Sequence, residues 1–539
     1  MADIALTIDD KPVSVPEGTL LIEAARKAGI EIPHYCWHPA LGNPGVCRLC
    51  MVQVEGSPKP MIACRQTCKP GMIVRTNSEL ARRAQTSSLE FHLVNHPLDC
   101  PVCDQAGECL LQDYYQRYGL YTSSVREDKR HKEKRAALGP HVMLDAERCI
   151  LCTRCTRFLE QVTRTRELGV FGRGDESAIA LAPGKTLDNP YSACVADLCP
   201  VGALTERDSR FQVRVWYLDS TPTLCTGCGR GCSIFAQTST RRPWHNQGRR
   251  LARIKPRHNP AVNGWWICDE GRYGSDWTDS KQRLLTASLL EKDGPKAVKV
   301  EDALHAAACE LENLCRAKGP QGLAVLLSAS LSNEDLFLAR ELFVRKLKVS
   351  RLLFTPGPER LGEEDSLLRV KEKVPNIAGG RALGLGSAVQ ETPWETLRKQ
   401  ILSGELWGLY CADRDPFAGE GEDLRAAILH MTFTLYQGPL SNAFARAARW
   451  VLPSCSPFEK DATYVNCEQR LQRGRKALEP LGESQPDWRL FAGILRALGE
   501  APPQEAAAAF ARIAKSEAAF QGQAFELPEC GVPLSGNAP

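Results

Sequence analysis

The chain has 539 residues, 43% of them hydrophobic and 24% charged, with a formal net charge of +4. That length is too great for one core and calls for several domains, and so small a charge argues against nucleic acid as a partner. Seventeen of the 23 cysteines fall within residues 1–268, which excludes an evenly stapled secreted scaffold and points to thiolate metal sites in a reducing compartment.

The opening MADIALTIDDKPVSV carries no basic region followed by an apolar run, so no signal peptide is expected. No stretch reaches the roughly 18 apolar residues of a membrane span, so any membrane association is expected through a partner. Ile4 to Ile8 and Val13 to Val15 alternate in polarity and predict two strands around a turn at Asp9–Lys11. Thr19 is placed to cap a helix from Leu20 to Lys27, and Gly29 suits its end. Loops rich in Pro and Gly then carry Cys36, Cys47, Cys50 and Cys64, spaced C-x10-C-x2-C-x13-C. Four thiolates can hold a 2Fe–2S centre, a 4Fe–4S centre or a structural zinc. Cys68 is read as a spare thiol, with exchange for Cys64 as the alternative.

A helix predicted over Ser78 to Val94 leads into His96, Cys100, Cys103 and Cys109, spaced H-x3-C-x2-C-x5-C. A neutral imidazole in place of an anionic thiolate makes a cluster less negative and raises its potential, as His ligation does in Rieske centres. Arg126 to Arg135 (REDKRHKEKR) reads as a solvated loop, with a docking surface as the alternative. The third set is Cys149, Cys152 and Cys155 in C-x2-C-x2-C, completed by Cys199 before Pro200. A tight triplet with a remote Cys-Pro follows bacterial ferredoxin logic and predicts one 4Fe–4S cluster. Cys194 has too few companions for another centre. The fourth set is Cys225, Cys228, Cys232 and Cys268, spaced C-x2-C-x3-C-x35-C, and a zinc ribbon is its competing reading.

Residues 276–300 read as a linker. Beyond them Leu304, Ala308, Leu311 and Cys315 share a helical face. Strands are expected at Leu323–Leu327, Arg351–Phe354, Leu406–Tyr410 and Thr432–Tyr436, and a helix at Asn333–Lys348. That βαβ rhythm predicts a parallel α/β domain. An Ala-rich helix and a loose tail close the chain. Gly419-Glu420-Gly421 and GGRALGLG are read as loop punctuation, not phosphate loops.

The words around the ligands narrow these alternatives. IPHYCWHPALGNPGVCRLCMVQVEG with ACRQTCKPGMIVRT, then NHPLDCPVCDQAGECLLQD, then ERCILCTRCTRFLEQV with LCPVGALT, resemble the large iron–sulfur subunit of the respiratory complex I family. The fourth set, ending in WWICDEGRYG, resembles the 4Fe–4S domain of molybdopterin oxidoreductases. LWGLYCADRDP, ARWVLPSCSPFEKDATYVNCEQRLQ and GESQPDWRLF resemble the core of the same enzymes. The resemblance implies a multidomain α+β and α/β chain. It runs from a β-grasp 2Fe–2S ferredoxin domain at 1–80 to a His/Cys 4Fe–4S domain at 81–140 and a ferredoxin-like 4Fe–4S domain at 141–215. A molybdopterin-oxidoreductase-type 4Fe–4S domain at 216–275 and a shortened, inactive molybdopterin-oxidoreductase-like domain at 276–539 complete it.

It implies one 2Fe–2S and three 4Fe–4S clusters on the four sets above, with His96 a ligand. It also implies single electrons received from a flavin subunit that oxidises NADH, entering at the 2Fe–2S centre and passing through the Cys149 set to the His96 set. The implied partners are that flavin subunit, its small 2Fe–2S companion and quinone-side iron–sulfur subunits. The implied location is the inner face of a bacterial plasma membrane, held through partners, with a membrane arm and no nucleic acid. No molybdopterin is expected, because residues 316–410 hold no Cys. Cys309 and Cys315 lie too early, Ser366 lacks a catalytic setting, and Cys411, Cys455 and Cys467 read as structural. The competing readings are a diaphorase-type subunit of an NAD-linked hydrogenase or formate dehydrogenase, an active molybdenum or tungsten formate dehydrogenase, and a zinc protein.

Overall fold

The computed structural model describes residues 3–534 apart from 243, 358 and 387–391. The chain forms two compact units, Met1–Tyr217 and Leu218–Pro539. Among the described residues no helix is long and apolar enough to cross a membrane.

The first unit opens with β1 (Asp3–Ile8) and β2 (Lys11–Pro16), followed by α1 (Leu21–Lys27), β3 (Met51–Val54), β4 (Met61–Ile62) and β5 (Ile73–Arg75). The strand order is β2-β1-β5-β3-β4, with β1 parallel to β5 and antiparallel to β2. Alternation puts Ile4, Leu6, Ile8, Val13 and Val15 in one core with Leu21 and Ile22 of α1. This mixed sheet crossed by a helix is what a β-grasp domain requires. Thr19 does not cap α1: its hydroxyl donates to the Pro16 carbonyl at 2.7 Å, and Leu20 takes the N-cap position without a side-chain bond. The preceding turn outcompetes the cap for the same hydroxyl.

Next come α2 (Glu79–Leu93), capped by Ser78, then α3 (Leu110–Tyr118), β6 (Ala136–Ala137) and β7 (Val142–Leu144). The unit ends with α4 (Arg154–Gln161), β8 (Leu168–Phe171), β9 (Ala178–Leu181), α5 (Cys194–Leu198) and β10 (Leu204–Glu206). Sheet order is β10-β7-β6, with β8–β9 a separate hairpin. The basic stretch is an irregular loop, exposed at eight of its ten residues and anchored at a few points. Lys129 Nζ donates to the Leu93 and Val94 carbonyls at 2.8 Å each, where α2 ends. Lys134 pairs with Asp99 and Glu147 at 2.8 and 2.7 Å, and Arg130 pairs with Asp175 at 2.8 Å.

In the second unit β11 (Asp219–Leu224), β12 (Ser233–Thr238) and β13 (Leu251–Pro256) form an antiparallel sheet, followed by α6 (Asp269–Tyr273). The expected linker is structured instead. β14 (Ala287–Glu291) and β15 (Gly294–Val298) form a hairpin that joins the main sheet. Its half-exposed edge position left no clean polarity pattern in the sequence.

Then follow α7 (Val300–Lys318), β16 (Leu323–Ser328), α8 (Asn333–Arg340), β17 (Arg351–Thr355), α9 (Ile377–Ala382), α10 (Trp394–Leu402), β18 (Gly408–Ala412), α11 (Glu422–Leu429) and β19 (Phe433–Gly438). After β20 (Trp450–Pro453) come β21 (Ala462–Val465), β22 (Arg470–Gly474), α12 (Asp487–Ala497), α13 (Ala506–Ser516) and β23 (Val532–Pro533). The helix expected to reach Lys348 changes to a π turn at Glu341–Lys346. The expected loose tail instead adds β23 to the edge of β22.

The large sheet runs β15-β14-β20-β19-β18-β16-β17, with β17, β16, β18, β19 and β20 mutually parallel. Leu323, Val325 and Leu327 of β16 enter one core with α7, α8 and α12, while Ala324 and Leu326 enter another with α10 and α11. Both faces are covered, which explains why β16 is apolar at five consecutive positions.

Candidate iron–sulfur sites

Each predicted ligand set is drawn together by a loop of unusual backbone. In the first, Cys36, Cys47, Cys50 and Cys64 are all buried, and Gly42, Gly45 and Arg48 take positive φ of 69°, 70° and 53°. Non-glycine residues enter that region rarely, and strain of this kind gathers at functional loops. The thiols touch: hydrogen bonds from Cys47 and Cys64 push the Cys36 thiol down, and Cys50 is pushed down by Cys64. Cys68 is buried beside α1, with its amide donating to Thr19 O at 2.9 Å.

The second set lines a cavity of about 440 Å³ with Leu89, Leu93 and Leu111. His96 Nδ1 is buried and, among the described residues, has no hydrogen-bond partner. Burial, then Arg148 and Lys129, push the imidazole down to about 4. A neutral ring with an orphaned nitrogen, sharing its cavity with Cys100, Cys103 and Cys109, fits a metal ligand. Burial pushes the Cys109 thiol up to about 11.

The third set, Cys149, Cys152, Cys155 and Cys199, encloses a cavity of about 20 Å³ with Leu144, Ile150, Ile179, Val201 and Leu204. Leu151 and Thr153 have φ of 52° and 61°, and Leu151 N donates to Cys149 Sγ at 3.4 Å. Burial raises Cys149 to about 12 and Cys152 to about 11. Buried thiols with so little to hold a proton-free charge fit groups that metal would deprotonate.

The fourth set is hung on the β11–β12 hairpin and the start of α6. Cys225 N donates to Cys232 O at 2.8 Å, and Cys268 Sγ accepts from Gly271 N at 3.3 Å. All four thiols are buried, and a side chain at Gly271 would lie 3.0 Å from Cys225 Sγ and 3.5 Å from Cys268 Sγ. Among the described residues no three His, Cys, Asp or Glu side chains close on the point a single ion would take.

Sequence order is not contact order. Arg154 Nη2 donates to Trp37 O at 2.6 Å, Arg157 Nη1 to Leu41 O at 2.5 Å, and Arg157 Nη2 to Cys36 O. Thus α4, which carries Cys155, is bolted to the loop of the first set. The third set meets the second through Leu110 N to Pro200 O at 3.0 Å. A methyl at Gly202 would lie 2.2 Å from Cys103 Sγ. Tyr35 also packs on Tyr114 of α3, with ring centres 5.6 Å apart. Arg154, Arg157 and Gly202 were invisible as site residues in the sequence, because nothing local marks a contact made more than 90 positions away.

The remaining second-half candidates scatter. Ser366 and Cys309 are exposed, Cys315 is half-buried, and Cys411 is buried within β18. Cys467 N donates to Gly229 O at 2.7 Å, and Cys455 borders a polar cavity.

Four family models match the chain. They are a 2Fe–2S iron–sulfur cluster binding domain at residues 1–79 and an NADH-ubiquinone oxidoreductase-G iron–sulfur binding region at 85–124. The others are an NADH-quinone oxidoreductase subunit 3 ferredoxin-like domain at 139–205 and a molybdopterin oxidoreductase at 301–501. The G subunit of NADH-quinone oxidoreductase from Streptomyces coelicolor is 40% identical over 337 residues, covering 62% of this chain and 38% of that protein. The mitochondrial 78 kDa subunit of NADH-ubiquinone oxidoreductase from Neurospora crassa is 41% identical over 324 residues, 60% of this chain and 42% of that one. Its counterpart in Candida albicans is 29% identical over 613 residues, 93% of this chain and 83% of that one.

The chain is a homologue of the NADH-quinone oxidoreductase G subunit. The matches span about 40% of the length of the first two relatives. The chain thus joins 2Fe–2S and 4Fe–4S binding domains to a molybdopterin-oxidoreductase domain. A chain in the crystal structure of an NAD+-reducing [NiFe]-hydrogenase in the H2-reduced state is 33% identical, covering 40% of this chain and 92% of that one, with a TM-score of 0.37.

Proposed function

We propose that this chain conducts single electrons through iron–sulfur clusters within an NADH-quinone oxidoreductase, taking them from a flavin subunit and passing them towards quinone-side subunits. Cys36, Cys47, Cys50 and Cys64 hold a 2Fe–2S cluster. His96 with Cys100, Cys103 and Cys109, then Cys149, Cys152, Cys155 and Cys199, then Cys225, Cys228, Cys232 and Cys268, hold three 4Fe–4S clusters. Bound clusters supply reversible one-electron redox chemistry, and the residues set potentials through burial, hydrogen bonds and charge. The carrying observation is that the three sets of the first unit touch one another: the Arg154 and Arg157 bonds join the first set to the third, the Pro200 bond joins the third to the second, and Tyr35 on Tyr114 joins the first to the second. Those contacts support electron passage among the three, and entry at the 2Fe–2S set with exit at the His96 set is the order the family resemblance implies. The fourth set lies in the second unit, whose molybdopterin-oxidoreductase domain serves as scaffold without a pterin. Membrane association is peripheral and made through partner subunits.

The test is Cys152→Ala in the assembled complex, with iron, molybdenum and tungsten counted on the anaerobically purified protein. NADH-to-quinone transfer is expected to stop while NADH oxidation by artificial acceptors at the flavin persists. Unmodified protein is expected to carry about 14 irons and neither heavier metal. Retained quinone reduction in the variant defeats the path, and stoichiometric molybdenum or tungsten makes this a catalytic subunit instead.

A further inference from the structure

A cavity of about 140 Å³ lies inside the second unit, with the Cys225–Gly227 loop on one side and Asp413, Ser454, Lys460 and Asp487 on the other. Its acidic wall is unevenly served. Lys460 Nζ donates to Asp335 Oδ2 at 2.6 Å and to Asp487 Oδ2 at 3.1 Å. Asp335 also accepts from the Ser332 and Trp488 amides at 2.8 and 2.7 Å, and Asp487 from Gln437 at 2.9 Å. Asp413 accepts from the Ser330 hydroxyl, its sole side-chain donor among the described residues. Lys460 thus serves two buried carboxylates by direct contact, and the half-buried Asp413, with only the Ser330 hydroxyl, carries the charge with the least support.

The cavity is wet. Ser454 is 1% exposed and borders it, and its hydroxyl has no partner among the described residues. A buried hydroxyl beside a polar space larger than the roughly 10–15 Å³ that one water needs is satisfied by water.

We propose that this cavity is a proton-binding site linked to the fourth cluster, in which each electron accepted there draws one proton from solvent through the cavity water onto the Asp413 carboxylate. The inference rests on the reading that Cys225, Cys228, Cys232 and Cys268 hold a 4Fe–4S cluster. In balance, the cluster gains one electron from an external one-electron reductant, and one carboxylate becomes one carboxylic acid. An added negative charge bordering the same cavity raises the proton affinity of the least supported anion, and the linkage is reciprocal.

The groups facing Asp413 are Asp487 at the head of α12, Asp335 of α8, Lys460 before β21 and Tyr436 of β19. Cys455 and Glu270 border the same cavity. Burial, with Asp487 and Asp335 adding to it and Ser330 and Lys460 opposing it, raises Asp413 to about 6. The oxidised site thus releases its proton near neutrality, where reduction can draw it back.

The experiment is a potentiometric EPR titration of the holoprotein at several pH values either side of 6, following the signal that Cys268→Ser removes. With full coupling, each tenfold fall in proton concentration above that pH shifts the reduction equilibrium tenfold, about 59 mV per pH unit. Asp413→Asn should flatten the slope and abolish a carboxylic-acid infrared band that appears on reduction. If the asparagine variant fails to assemble, Ser330→Ala should move the onset of the slope to higher pH, because the carboxylate loses its donor. A midpoint in the unmodified protein that ignores pH, or a slope unchanged in Asp413→Asn, overturns the inference. Absence of any signal removable by Cys268→Ser overturns the cluster reading beneath it.

Discussion

Replacing Gly202 with alanine should remove one cluster and spare the others. The new methyl would lie 2.2 Å from Cys103 Sγ and 3.1 Å from Gln105 Cβ. Non-bonded heavy atoms need about 3.5 Å, so the sulfur must retreat by more than 1 Å, whereas metal–ligand distances tolerate about 0.2 Å. The glycine side cannot yield readily, since Pro200 O and Ala203 O accept from Leu110 N and Asp145 N at 3.0 and 2.8 Å. Overpacking of this kind costs about 1–3 kcal/mol, too little to unfold a domain of this size. The expected result is a loss of about four irons per chain, with the EPR signal of the His96 centre gone and the others intact. Gly227→Ala is the control, because its nearest contact is an ordinary 3.6 Å. A full iron content and an unchanged spectrum in Gly202→Ala would refute the placement of Cys103 as a ligand.

His96→Cys should lower the midpoint of the second centre in a redox titration, because a thiolate adds negative charge where the imidazole adds none; an unchanged midpoint and spectrum count against ligation. Glu334 is fully buried, and burial raises it from 4.5 to about 7. A carboxyl raised in the folded state penalises folding as pH climbs through that window, so its cost is absent below about 4.5 and reaches about 3 kcal/mol above 7. Glu334→Gln can still accept from Thr463 N, a bond now 2.9 Å long, and should raise the melting temperature at neutral pH but not in acid. An equal shift at both pH values would show that packing, not charge, governs the site.

The four proposed ligand sets were legible because iron–sulfur clusters draw on few residue types, chiefly Cys, and three of the four sets are largely local in sequence. His96 stood out by its spacing to three thiols. The parallel strands β16 to β19 were legible because strands covered on both faces must be apolar throughout. The hairpin at 287–298 was missed because all its positions but Ala287 are half-exposed or exposed, with no alternation to mark a strand. The basic run at 126–135 is the exposed loop its charge run suggested, but a charge run does not announce its anchors. Those anchors, the end of α2, Asp99, Glu147 and Asp175, lie up to 45 positions away.

By itself the sequence determined which side chains are candidates to bind iron, at what spacing, and which half of the chain bears them. Only the tertiary structure decided which distant segments bring those sites into contact. Arg154 and Arg157 reach back more than 110 positions to the first set, and Pro200 bridges the third set to the second. It also put Asp413, Asp487 and Lys460 around the cavity that Cys225 borders. Ligand identity is a property of local covalent chemistry, whereas proximity and charge balance arise when distant segments are buried together.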